Sequence, residues 1–326
     1  MNPTSAVLAL LVLLPRLDDD KEVLELGRSC FERFYAGEVA ETWDRCDEKM
    51  QQALGSLETF ETFHAQAFAQ LGDEVEVLDE SVELQGTARV YRRKSHFEKY
   101  SGVIEVVCSF GAEDRISGFL IRPQAQEAPS EYLDYQTKTA LRLPFEGEWF
   151  VFWGGRKLEQ NYHAATVDQR FAYDLMIMKD GASHTGDGKE NEDYHCFDLP
   201  ILAPGAGTVV VAIDGIEDNV PGEMNAKQIA GNHVVLDHGN GEFSFLAHFK
   251  KGSLGVKVGD KVAAGALLGR CGNSGNSSEP HLHYHVQTTA ELRKGAGLPV
   301  QFRNYLADGQ PVERGEPVKG QRIASR

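Results

Sequence analysis

Residues 231–286 read GNHVVLDHGNGEFSFLAHFKKGSLGVKVGDKVAAGALLGRCGNSGNSSEPHLHYHV. Glycines punctuate the run, and helical periodicity is almost absent from GEWFVFWGG near residue 147 to Val286, so this half of the chain is expected to be all-β. The final strand carries the chemistry. In extended chain, residues two apart share a face, so His281 and His283 present two imidazoles together while Leu282 and Tyr284 face the other way. Imidazole is a preferred zinc ligand, and catalytic zinc takes three protein ligands with a fourth position left for water. His285 shares the face and is placed to orient a ligand through its free ring nitrogen.

The same run resembles the core of lysostaphin-type (LytM-like) zinc peptidases over about 55 residues. Four landmarks stand in that family's order: a strand ending in A-H (His248), the V-x-V-G-D-x-V segment at 256–262, the G-N-S-G loop and the P-H-L-H strand. The resemblance implies that His283 ligates Zn²⁺ and that His281 and His248 form a catalytic pair. It also implies a substrate class, the peptide cross-links of bacterial cell-wall peptidoglycan.

The family's other two ligands are usually a His and an Asp four residues apart, and here the chain departs from that pattern. Asp174, in QRFAYDLMI, is the candidate carboxylate, but four residues earlier stands Arg170, whose guanidinium does not lose its proton to coordinate a metal. His163, in QNYHAATVDQR, lies on the correct side of Asp174 and is the expected third ligand. The other choice is His195 with Asp198. Three-residue spacing on a strand points those two to opposite faces, so they need a bulge to act together.

Outward from this core, residues 21–68 carry apolar positions at helical spacing, broken at Gly37 and Gly55, and residues 74–122 alternate in the manner of antiparallel strands. Helices followed by a sheet make an α+β domain. This half resembles the cone-shaped SnoaL-like and nuclear-transport-factor-like domains, a fold that assigns no activity. The expected division is an N-terminal apolar segment at 1–20, the α+β domain at 21–123, a polar linker at 124–144, the peptidase domain at 145–290 and a C-terminal extension at 291–326.

A formal charge of -16 disfavours nucleic acid as a partner. The apolar run at 6–14 has the length of a signal-peptide core and is too short to span a bilayer comfortably, which favours an exported protein of the cell envelope. Five cysteines lack C-x-x-C spacing, so a thiolate zinc site is not expected; Cys30 and Cys46 are close enough in sequence to pair after export. The competing reading is a degenerate peptidase-like domain that binds cell wall or regulates a murein hydrolase without metal. A lipoyl-type carrier hairpin at VKVGDKVAAGALLG is disfavoured because Lys261 sits within the strand pattern and not at an exposed turn.

Overall fold

A computed structural model of the chain describes residues 17–85 and 88–326, which fall into two compact units divided between Gln124 and Ala125. The apolar run at 6–14 lies outside the described residues. Among them no helix is long and apolar enough to cross a membrane.

The first unit holds α1 (Leu17–Tyr35), α2 (Val39–Asp44), α3 (Glu48–Leu54) and α4 (Leu57–Leu71), then the antiparallel sheet β1 (Glu74–Gln85), β2 (Ala88–Phe97), β3 (Tyr100–Phe110) and β4 (Ile116–Pro123) in sequence order. The helix breaks have local causes. Asp47 caps α3 by accepting from Met50 N at 2.8 Å, and Ser56 caps α4 by accepting from Thr59 N at 3.2 Å. Gly55 and Gly72 end those helices with positive φ. Helix α1 lies directly on the sheet, since a Cβ at Gly27 would meet the Tyr91 ring at 2.1 Å. Phe31, Tyr91, Val106, Cys108 and Phe110 are buried together there. Beneath them Arg93, also buried, pairs with Glu74 and Glu80. Cys30 and Cys46 are both buried free thiols in this core.

In the second unit the strands are β5 (Glu148–Trp153), β6 (Tyr173–Met176), β7 (Pro200–Leu202), β8 (Gly207–Ile213), β9 (Asn232–Asp237), β10 (Phe243–Phe249), β11 (Lys261–Val262), β12 (Leu267–Arg270), β13 (Leu282–Gln287), β14 (Gly297–Leu298), β15 (Phe302–Ala307), β16 (Gln310–Gly315) and β17 (Arg322–Ser325). All but β7 and β12, which pair with each other, belong to one sheet ordered β11-β8-β9-β10-β13-β6-β5-β17-β15-β16, with β14 on the end of β13. The unit's described residues contain no α-helix, only short 3₁₀ turns.

Two expected boundaries differ from what the structure shows. Residues 125–144 are no linker but part of the second unit: Leu141 and Leu143 are in its core, and the buried Glu242 carboxylate accepts from Tyr135 OH (2.9 Å), Lys138 N (2.6 Å), Thr139 N (2.8 Å) and the Thr139 hydroxyl. Glu242 ties down the stretch 135–139, while Gln126, Glu131, Asp134 and Gln136 stay exposed. Residues 291–326 are likewise no appendage, because β17 pairs with β5 on one side and β15 on the other and buries Ile323 completely.

Candidate metal centre

Strand β13 runs between β10 and β6, with Ala247 opposite His283 on one side and Asp174 opposite it on the other. Directly paired residues share a face of a sheet, so the register alone sets Asp174 beside His283. His163 arrives from elsewhere, on the single 3₁₀ turn Tyr162–Ala165. His248 needs a distortion. Strict alternation after Ala247 would aim it at the opposite face, but the register slips between Leu246 and Phe249, and His248 takes a left-handed φ of 65° with its N–H donating to Ala230 O at 3.1 Å. This bulge turns its ring to within 4.7 Å of His281 and 5.9 Å of His283, centroid to centroid.

One donor atom from each of His163, Asp174 and His283 lies within 4.8 Å of the other two, the one such grouping among the described residues. Asp174 Oδ1 stands 2.9 Å from His283 Nδ1, 3.6 Å from His281 Nε2 and 3.7 Å from His163 Nε2. Burial works to raise the Asp174 pKa, but the imidazoles of His163, His281 and His283 outweigh it and hold the carboxyl well below its usual range. Burial pushes His163 down to about 3, against the opposing pull of Asp174, so its ring is neutral at neutral pH. The 2.9 Å contact of Asp174 to His283 accommodates a hydrogen on Nδ1, and metal uptake releases protons of that kind. Two imidazole nitrogens and a carboxylate form a donor set that suits zinc. His163, His248 and His283 also line an adjoining cavity of about 280 Å³, together with Tyr162, Phe245 and Arg293.

His248 and His281 are held by backbone carbonyls. His248 Nδ1 lies 2.7 Å from Ser274 O, and His281 Nδ1 lies 2.9 Å from Glu279 O. A carbonyl oxygen only accepts, so Nδ1 carries the hydrogen in both rings and Nε2 is left bare when the ring is neutral. Burial keeps His248 well below its ordinary pKa, with the charges of His281 and His283 acting in the same direction. The G-N-S-G loop supplies one of these carbonyls. It is anchored where Ser274 Oγ accepts from Asn232 N at 2.9 Å and donates to Phe249 O at 2.8 Å. At Gly275 (φ 82°) a Cβ would stand 2.3 Å from Gly231 N, so the two loops touch backbone to backbone and only glycine fits.

The alternative pair stands apart. His195 is not in the grouping, and the Asp198 carboxylate is engaged by Lys250 Nζ at 3.1 Å. Arg170 is buried and serves as a strut, donating to Ala164 O (3.0 Å) and to Glu127 (3.1 Å). Sequence reasoning missed Tyr162, whose ring lies 3.9 Å from that of His163 and whose hydroxyl approaches Asp174 Oδ2 at 3.5 Å. It also missed Asn161, although an Asn two residues before a candidate ligand could have drawn notice.

Among curated proteins, the chain is 36% identical over 104 residues to an uncharacterized metalloprotease of Buchnera aphidicola subsp. Baizongia pistaciae, covering 30% of this chain and 24% of that protein. It is 44% identical over 57 residues to the peptidoglycan DD-endopeptidase ShyA of Vibrio cholerae, covering 18% and 13% respectively. The chain thus spans a quarter or less of either relative's length. Among solved structures, the catalytic domain of the antimicrobial peptidase lysostaphin from Staphylococcus simulans aligns at 19% identity over 46% of this chain and 86% of that one, with a TM-score of 0.27. The family match takes in His248, His281 and His283 and begins after His163 and Asp174: residues 192–295 of the chain match Peptidase family M23.

Proposed function

We propose that the second unit is a zinc-dependent endopeptidase that hydrolyses peptide cross-links of bacterial cell-wall peptidoglycan, exported to the cell envelope where that substrate lies. The observation that carries this reading is the convergence of His163, Asp174 and His283 beside two further imidazoles whose Nε2 atoms are bare. His163 through Nε2, Asp174 and His283 through Nδ1 would hold the metal. When bound, zinc supplies Lewis-acid polarisation of a water and of the scissile carbonyl.

The rest of the chemistry falls to the chain. His281, with Nδ1–H fixed on Glu279 O, accepts the proton of the attacking water at Nε2. A ring that has taken a proton becomes a donor, so the same imidazole can return that proton to the leaving amine. His248 donates to the tetrahedral oxyanion only while it holds a proton at Nε2, since its other hydrogen is committed to Ser274 O. The ShyA match supports the substrate class, since that relative is a peptidoglycan DD-endopeptidase.

The test is to reconstitute the full chain with zinc, measure metal content, and incubate it with purified peptidoglycan while following new amino termini. Close to one zinc per chain, and cleavage abolished by chelator and restored by zinc, is the expected result. A chain that takes up no zinc yet binds peptidoglycan would replace this reading with the regulatory one.

A further inference from the structure

Which nitrogen a histidine offers to a metal is decided by what its other nitrogen touches. For His283 the deciding contact is at the end of a chain of buried groups. Gln287 is fully buried, and its Nε2 donates to three backbone carbonyls: Glu291 O at 2.8 Å, Thr289 O at 2.9 Å and Lys294 O at 3.1 Å. Carbonyls cannot donate, so the amide has one orientation and Oε1 faces His285 Nε2 at 3.2 Å. An amide oxygen only accepts, so His285 Nε2 carries the hydrogen. His285 is itself buried, and a neutral imidazole carries only one hydrogen. Its Nδ1 is therefore bare and accepts from His283 Nε2 at 3.0 Å. The remaining nitrogen, His283 Nδ1, is the one that faces Asp174.

His163 is governed by a second amide built on the same logic. Asn161, also fully buried, donates from Nδ2 to Ala172 O at 2.9 Å and to Gly155 O at 3.0 Å. Its Oδ1 accepts from His163 N at 3.2 Å and from His163 Nδ1 at 2.8 Å, which leaves Nε2 bare toward Asp174.

We propose that Gln287, acting through His285, and Asn161 are positioning residues that select the ligating nitrogens, Nδ1 of His283 and Nε2 of His163. The inference rests on the metal reading above and deepens it. Reversing either amide would set an oxygen against two or three carbonyl oxygens, so the choice is locked by backbone and not by the rings themselves. A consequence follows for the loop at 289–294: its carbonyls lie three side chains from the metal position and still set the polarity there.

The experiment uses full chain labelled with ¹⁵N-histidine, with and without zinc, and reads the ring nitrogens by NMR. In the wild type, His285 is expected to be protonated at Nε2 and bare at Nδ1. In Gln287→Met, which keeps the bulk and removes the acceptor, the His285 hydrogen should redistribute between its nitrogens. Zinc affinity in chelator competition should fall roughly 10–100-fold, the usual effect of outer partners of metal-bound histidines. Asn161→Leu should lower affinity in the same range while leaving the His285 signal unchanged.

A wild-type His285 protonated at Nδ1 overturns the proposal, even if both variants fail to fold. So does a folded Gln287→Met chain with wild-type tautomer and wild-type affinity. A wild-type chain that binds no zinc overturns the metal reading itself, and this inference with it.

Discussion

Each unit buries charge, and the two do it differently. In the first, the Arg93 guanidinium donates to Glu74 Oε1 at 2.8 Å and to Glu80 Oε1 at 3.1 Å, while Glu80 also receives Arg28 and the Tyr91 hydroxyl. Every carboxylate there meets donors that carry hydrogens. In the second unit Asp174 faces three imidazoles, and the hydrogen bonds on the far sides of His163 and His281 leave their Nε2 atoms bare toward it. An ion network whose members are all paired costs stability when one member is removed; a carboxylate whose neighbours offer lone pairs is short of positive charge and invites a cation.

The largest effects should come from breaking the second cluster. His283→Ala or Asp174→Ala should lower zinc affinity by more than the roughly 100-fold that outer partners command, read by chelator competition; retention of zinc by both would dissolve the contrast between the units. One step outward, His281→Ala and His248→Ala should keep stoichiometric zinc and lose roughly 10²–10⁴-fold in turnover. Loss of metal in His281→Ala would move that residue into the ligand set.

The first cluster should behave in the opposite sense. Arg93→Leu removes the guanidinium that pairs with the partly buried Glu74, while Glu80 keeps Arg28 and Tyr91, and should cost about 3 kcal/mol in stability, followed by denaturant unfolding, with zinc affinity unchanged. The same cluster has a pH signature. Burial raises the Glu80 pKa, but hydrogen bonds from Arg28 and Tyr91 and the charges of Arg28 and Arg93 outweigh it, so the folded value lies below the unfolded one of about 4.3. The stability it confers is complete above that unfolded value and is lost as pH falls through the depressed folded value. Glu80→Gln should flatten this acid dependence; an unaltered slope would show that the network contributes nothing.

Much of this was legible in the residues. The helix breaks at Gly37 and Gly55 and the alternating strands of 74–122 are local signals, and the structure follows them. The H-x-H strand gave the face of His281 and His283 because strand periodicity is geometric. His163 was reachable only as an expectation, since a ligand supplied from a 3₁₀ turn eleven residues before Asp174 obeys no strand period. The bulge at His248 left no mark at all: nothing in FSFLAHF announces a left-handed residue, and only the family's A-H segment pointed there. Residues 125–144 misled for a physical reason. A polar, proline-bounded stretch reads as a free connection, and the carboxylate that anchors it, Glu242, lies about a hundred positions away in sequence.

That carboxylate bears on how the peptidase half can be excised. Glu242 gathers four hydrogen bonds from residues 135–139, and Thr137 adds a bond to Pro299 O at 2.6 Å. A fragment cut at residue 145, where composition places the border, would strand a charge in the interior and strip Leu141 and Leu143 from the core. The natural scissors mark is at 124/125, so the segment that looks like a hinge on paper is the first structural element any recombinant peptidase fragment must keep.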